Sequence, residues 1–288
     1  MNYTITGATG HLGMKITEEA LKVIDVKNVT LSVRSPQKAE KFAAAGVIVK
    51  KANYYSEEEL YESFKGTDVL IYIPSITHPS YKRVGEFENA MNAAERAGVK
   101  HIVFVGFIAD HEDSPFKMAP FFGYAVRRLA SSDIPYTYIR NAMYADPLPP
   151  YIPELAERGR LLYPAGDGKI SFISRRDLAK AIVKIAAAPQ LLGKKYTLTG
   201  EKIYTMLELA ALLSDVCGQS IVYKPMTKEE FAAEYDQPQG FGEVLASLYT
   251  AAEKHLMDEM TDDYFMITGE HPEPLEQFVK RKYEELNA

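Results

Sequence analysis

Thr6-Gly7-Ala8-Thr9-Gly10-His11-Leu12-Gly13 constrains this chain more than any other stretch, because it hands a strand over to a helix within a few residues. Ahead of it, Asn2 to Thr6 alternates polar residues with Tyr3 and Ile5, the period of a strand. Behind it, Leu12, Ile16, Ala20 and Val23 recur at helical spacing. Gly7 suits a tight turn, Gly10 lets backbone amides approach a ligand with no Cβ in the way, and Gly13 lets the helix pack close to the strand. The free amides and positive end of the helix dipole favour phosphate. Strand, glycines and helix in this order predict a dinucleotide site formed by Gly7, Thr9, Gly10, His11, Leu12 and Gly13. A purely structural glycine turn is the plainer alternative.

The same alternation continues through the first half of the chain. The spacing predicts strands over 2–6, 28–33, 47–50, 68–73, 101–106 and 135–140, and helices over 11–23, 36–45, 56–64, 81–97 and 120–131. Strand and helix in regular succession predict an α/β fold of Rossmann type, a doubly wound parallel sheet with helices on both faces. The rhythm breaks at Asp146-Pro147-Leu148-Pro149-Pro150, read as the exit into a second lobe. The expected domains are a dinucleotide-binding unit over 1–145 and a smaller C-terminal α+β substrate lobe over 146–288. A helix over 175–187, opened by Ser174 and Asp177, is assigned back to the first. Short strands over 196–198 and 220–223 and helices over 205–216, 227–235, 243–256 and 274–286 complete the second. Gln237 to Gly242 is glycine-rich enough to serve as a lid.

Composition narrows the partners. A net charge of −6 argues against a nucleic-acid groove. The single Cys217 leaves neither a disulfide framework nor a cysteine zinc cluster, and fits a reducing cytoplasm. No apolar run approaches the roughly 18 residues of a membrane span, and Met1 to Thr4 lacks the basic start of a leader. No metal is expected. Gly-x-Ser-x-Gly, His-Glu-x-x-His and Walker motifs are all absent.

The second strand indicates which dinucleotide. Where an NAD site places an acidic residue, this chain reads Val33-Arg34-Ser35-Pro36-Gln37-Lys38. Arg34 offers a charge-assisted fork to a 2′-phosphate, Ser35 a further hydrogen bond and Lys38 a point charge. NADP(H) is therefore the preferred cofactor and NAD(H) the second choice. Asn53 and Tyr54, after the third strand, suit the adenine edge. Ile73-Pro74-Ser75 and Val105-Gly106-Phe107 end the fourth and fifth strands, where they border the cofactor crevice of an open parallel sheet.

With these stretches and Ile134-Pro135-Tyr136-Thr137-Tyr138-Ile139-Arg140-Asn141-Ala142-Met143-Tyr144 in order, the chain resembles the atypical short-chain dehydrogenase/reductase group. Within it, the NmrA-like proteins and the NADPH-dependent quinone and triphenylmethane reductases are most similar. The resemblance implies the fold and cofactor above. It also exposes a departure, because the Tyr-x-x-x-Lys pair of short-chain enzymes, counted back from Ile134, falls on Met118 and Phe122. The literal match, Tyr61 to Lys65, precedes the fourth strand on the wrong side and is read as chance. The expected activity is hydride transfer to a quinone-like or other conjugated small molecule, which needs no obligatory general acid. The alternative is a dinucleotide-sensing regulator without catalysis.

Tyr124, with Arg128 one turn later to lower its pKa, is the candidate catalytic residue. His78, Met118, Phe122, Tyr144 and Phe241 are the candidate acceptor pocket, with Phe107 as a further wall. A homodimer or a regulatory protein partner is left open.

Overall fold

The computed structural model describes residues 1–288. In chain order it runs β1 (Tyr3–Thr6), α1 (His11–Val23), β2 (Val29–Val33), α2 (Glu40–Ala44), β3 (Ile48–Lys51), α3 (Glu57–Phe64), β4 (Val69–Tyr72), α4 (Ser80–Ala97), β5 (His101–Phe107), α5 (Ala119–Ala130) and β6 (Tyr136–Asn141). It continues with β7 (Met143–Tyr144), α6 (Leu148–Arg158), β8 (Arg160–Leu161), β9 (Lys169–Ile173), α7 (Arg175–Ala187), β10 (Lys195–Leu198), β11 (Ile203–Thr205) and α8 (Met206–Cys217). The last elements are β12 (Val222–Tyr223), α9 (Lys228–Glu234), α10 (Phe241–Glu253), α11 (Asp263–Thr268) and α12 (Leu275–Asn287). No helix is long and apolar enough to cross a membrane.

Seven strands form one sheet in the order β10-β6-β5-β4-β1-β2-β3. β1 pairs in parallel with β2 and β4, β2 with β3, and β4 with β5. Counted from β3 this is the order of doubly wound dinucleotide folds, extended by β10. It reverses between β1 and β4, and the carboxyl ends diverge there to leave a crevice. β1, β4 and β5 are buried at every position. That is why Val69-Leu70-Ile71-Tyr72 reads as a continuous apolar run rather than an alternating one.

Packing divides the chain into two units. The first comprises Met1–Gly106, Pro120–Arg140 and Leu178–Tyr196. Its core holds an aromatic cluster in which Tyr72 stacks on Phe104 with centroids 5.9 Å apart, and Phe87 meets Phe104 at 5.4 Å and Phe121 edge-on at 6.0 Å. Each such side chain contributes about 1.5–3 kcal/mol by leaving water. The second unit comprises Phe107–Ala119, Asn141–Asp177 and Thr197–Ala288. It carries a three-stranded sheet β11-β9-β7 and a β12-β8 pair. Tyr163 stacks on Tyr249 at 4.1 Å, and full capping boxes at Thr205/Glu208 and Thr227/Glu230 start α8 and α9.

Several elements differ from the sequence reading. The proline run opens a helix, α6, because Pro149 and Pro150 lie in its first turn, where no backbone N–H is needed. The helix expected over 36–45 begins as a 3-10 turn, Pro36–Ala39, before α2. β9 was not expected, and β10 joins the central sheet beside β6.

Candidate functional site

The glycine turn has the geometry that its residue types suggest. Gly7 adopts φ +60°, a left-handed conformation that side chains resist. A Cβ on Gly13 would lie 2.2 Å from the Gly7 carbonyl oxygen and 2.7 Å from the Ala8 Cα, so only glycine lets α1 approach β1 this closely. Gly10 is the N-cap of α1; no side chain caps the helix, and its first turn carries no acidic residue. The backbone of Gly10 turns back onto Gly7, its N–H donating to the Gly7 carbonyl at 2.9 Å. His11 is exposed at the first helical position, Thr9 is half-buried, and Leu12 and Gly13 are buried beneath. The result is a helix N-terminus with orphan amides at the carboxyl edge of the sheet, suited to an anion.

At the end of β2, Arg34 and Lys38 are exposed, and neither side chain makes a hydrogen bond or ion pair within the protein. The neighbouring lysines behave differently: Lys15 and Lys41 both pair with Glu18. Ser35 is half-buried and heads the 3-10 turn. After β3, Asn53 Oδ1 accepts from the Tyr55 N–H at 3.1 Å, while its own N–H donates to Glu59 at 2.9 Å. Asn53 is thus a turn-forming residue whatever else it touches. The Tyr54 hydroxyl donates to the Ile73 carbonyl at 2.6 Å, and burial pushes its pKa far up.

The exit of β4 is held from several sides. The Ile73 N–H donates to Thr6 Oγ1 at 3.0 Å, so Ile73, the first residue after β4, is held at its N–H by Thr6 and at its carbonyl by Tyr54. The hydroxyl of Ser75 donates to Glu86 and accepts from the Thr77 N–H at 3.1 Å. Thr77 Oγ1 donates to the other oxygen of Glu86 at 2.8 Å. Pro74 and His78 are half-buried, the latter with Nδ1 3.4 Å from the Ile76 carbonyl. Glu86 was missed by the sequence reading, since a glutamate in a helix full of polar residues reads as solvated.

At the end of β5, Val105 and Gly106 are buried. The space a Gly106 side chain would fill holds the Tyr138 ring, 2.4 Å from the position of such a Cβ. Packing alone therefore requires this glycine.

The lowering of the Tyr124 pKa expected from Arg128 is not found. Its hydroxyl donates to Glu88, and that carboxylate raises its pKa, outweighing the lowering by Arg128. Arg128 is itself held by Glu88 and Glu95, each at 3.1 Å. Tyr124, Arg128, Glu88 and Glu95 form a network of hydrogen bonds and ion pairs that ties α5 to α4. Phe122 is buried in the first unit with its ring 5.4 Å from Phe121.

The remaining candidates belong to the second unit. Phe107 is buried against Phe116 at 5.6 Å, and Met118 is buried. Tyr144 is half-buried with the Arg175 guanidinium 4.7 Å over its ring. Phe241 opens α10, behind a turn pinned by Asp236, whose Oδ1 accepts from the N–H groups of Gly240 at 2.7 Å and Gly242 at 3.1 Å. Those bonds tie down the segment expected to act as a lid.

The first unit therefore gathers Gly7 to Gly13, Arg34 to Lys38, Asn53, Tyr54, Ile73 to Ser75, Val105 and Gly106 along the carboxyl ends of five neighbouring strands. Known proteins are similar to this chain over most of its length. Quinone oxidoreductase 2 of Escherichia coli strain K12 is 34% identical over 254 residues, which is 87% of each chain. A structure described as a nucleoside-diphosphate-sugar epimerase from Staphylococcus aureus is similar with a TM-score of 0.94 and 45% identity, over 97% of this chain and 100% of that one. That of the NADPH-dependent quinone oxidoreductase of E. coli, complexed with NADPH, has a TM-score of 0.91 and 30% identity, over 98% and 99%. The NmrA-like family matches residues 2–287, and the chain belongs to that family.

Proposed function

We propose that this protein is an NADPH-dependent reductase that passes hydride to a quinone-like or other conjugated small molecule. The observation that carries the cofactor reading is Arg34, an exposed guanidinium with no protein partner at the end of β2, with Lys38 unpartnered close by. An unpaired cation after β2 and an uncapped helix N-terminus after the neighbouring β1 fit the 2′-phosphate and pyrophosphate of NADP(H). Similarity to the E. coli quinone oxidoreductase structure that holds NADPH, and to quinone oxidoreductase 2 of E. coli at 34% identity to this chain, supports both the cofactor and the acceptor class.

The bound cofactor would supply the hydride. The chain's own work is binding and orientation. The amides at the start of α1, from His11 to Gly13, hold the pyrophosphate; Arg34, Ser35 and Lys38 hold the 2′-phosphate. Asn53 and Tyr54 would border the adenine, and the backbone of Ile73 to Ser75, Val105 and Gly106 would border the nicotinamide ribose. Of the candidate acceptor contacts, His78 in the first unit and Tyr144 and Phe241 in the second are half-buried, whereas Met118 and Phe122 are buried. The reduced acceptor takes its proton from water.

Sugar-nucleotide epimerase chemistry, suggested by the S. aureus relative, needs the tyrosine and lysine that here read Met118 and Phe122. The same two buried apolar residues favour a second reading, a regulator that binds the dinucleotide and reports its redox state. Titration of NADPH, NADH and their oxidised forms by fluorescence, followed by an acceptor screen, separates the readings. Oxidation of NADPH by quinones, triarylmethane dyes or enones is expected. A site that binds NADPH yet never oxidises it across that panel overturns the reductase. Equal affinity for NADPH and NADP⁺ overturns the sensor, since equal affinity shifts no equilibrium.

A further inference from the structure

We infer that Glu86 is a positioning residue that sets the strand-exit loop Ser75–Thr77 in the shape that receives the dinucleotide; this rests on the reading of the first unit as an NADPH site. Glu86 lies on α4 and is only 2% exposed. A carboxylate is seldom buried to this degree unless its oxygens are satisfied. Here both are, by the hydroxyls of Ser75 and Thr77, two alternate residues that reach the same carboxylate. Ile76 between them is 83% exposed. Arg83, three residues before Glu86 on the same helix, donates from Nε to the Thr77 carbonyl at 2.6 Å, so α4 grips the loop at side chain and backbone alike.

The location gives this clamp its role. The loop starts at the point where the sheet order reverses, and a Cβ on Gly7 would lie 3.3 Å from Ile73, so the β4 exit and the glycine turn are in near contact. A shift of the Pro74–Ser75 backbone would therefore be felt beside the pyrophosphate turn. The Ser75 hydroxyl gives its proton to Glu86 and accepts from the Thr77 N–H, so Ser75 would address the cofactor through its backbone. An apolar residue at position 86 would fill the space without orienting either hydroxyl. The carboxylate's distinctive contribution is loop geometry.

The test is a cycle of Glu86→Gln, Thr77→Val and the double variant in the full-length protein, reading NADPH Kd by fluorescence, KM and kcat with a reducible quinone, and the melting temperature. Gln replaces one acceptor oxygen with an NH₂ donor, and Val removes one hydroxyl while keeping the branched shape. Each single variant is expected to raise Kd and the KM for NADPH about tenfold with kcat changed less than about twofold. The double variant should be no weaker than the worse single one, because both remove the same contact. Kd values within twofold of the natural protein, or losses that add, overturn the role of Glu86 while leaving NADPH binding intact. A natural protein that does not bind NADPH overturns the cofactor reading instead. Should Glu86→Gln not fold, Thr77→Val alone decides between a tenfold and an unchanged Kd.

Discussion

Two polar regions of the first unit invite comparison. At the carboxyl edge of β1 and β2, the chain leaves its strongest groups without protein partners: the N-terminal amides of α1 have no cap, and Arg34 and Lys38 point at solvent. Between α4 and α5, Tyr124, Arg128, Glu88 and Glu95 satisfy one another. Both regions carry residue types that catalysis and binding use, and residue type alone does not separate them. What separates them is whether the protein itself answers each donor and charge. Groups left unanswered are available to a ligand; groups answered internally serve the fold.

The comparison is broken most directly at Gly13. Gly13→Ala forces a Cβ to within 2.2 Å of the Gly7 carbonyl, so the turn must open. We expect a stability loss of about 1–3 kcal/mol and NADPH binding weaker by about a hundredfold through misplacement of the amides, measured by thermal melts and fluorescence titration. Unchanged NADPH affinity would mean that the turn is structural alone. Next comes Arg34→Ala, which removes an unpartnered charge. NADPH should bind about ten- to a hundredfold more weakly, the equivalent of about 1.5–3 kcal/mol, while NADH affinity and melting temperature stay unchanged. An unaltered NADPH/NADH ratio sinks the 2′-phosphate assignment.

Tyr124→Phe probes the opposite region. It should cost about 0.5–1.5 kcal/mol of stability and leave kcat within about twofold. A fall in kcat of about a hundredfold would instead make Tyr124 an acid–base group and erase the distinction drawn here. The smallest effect is expected at His101, buried with Nε2 2.8 Å from Thr137 Oγ1, which in turn accepts from the Gly193 N–H. Burial holds its pKa below the ordinary value. The unfolded chain therefore binds the proton first, so stability is full above the unfolded value of about 6.5 and is lost as pH falls from there toward the folded pKa. His101→Asn should flatten this part of the stability profile in chemical denaturation, with NADPH affinity unaffected.

Much of this was legible in the sequence where the signal is local. The glycine turn, the runs that became β1, β2, β4 and β5, and the absence of an acidic residue after Val33 need only a few neighbours to be read. Features that depend on distant partners were not legible. Prolines at 149 and 150 signal a break, yet at a helix start they cost no hydrogen bond. β9 exists because β7 and β11 flank it, through pairings such as Met143 with Phe172 and Ile203 with Ser171 that join distant parts of the chain. Glu86 is indistinguishable from a solvated helical glutamate until the path of residues 75–77 is known. The raised pKa of Tyr124 was not legible because Arg128 is visible at a helical interval while Glu88, on another helix, is not.

Arg34 carries one more consequence. Functional residues commonly trade against stability, because the strain or unpaired charge they bring must be supported by the rest of the structure. Arg34 stands outside that trade: it is exposed and makes no hydrogen bond or ion pair within the protein. In the proposed site, cofactor preference is therefore an adjustable setting. A single substitution at Arg34 would weaken the grip on a 2′-phosphate without breaking any hydrogen bond or ion pair of the folded chain.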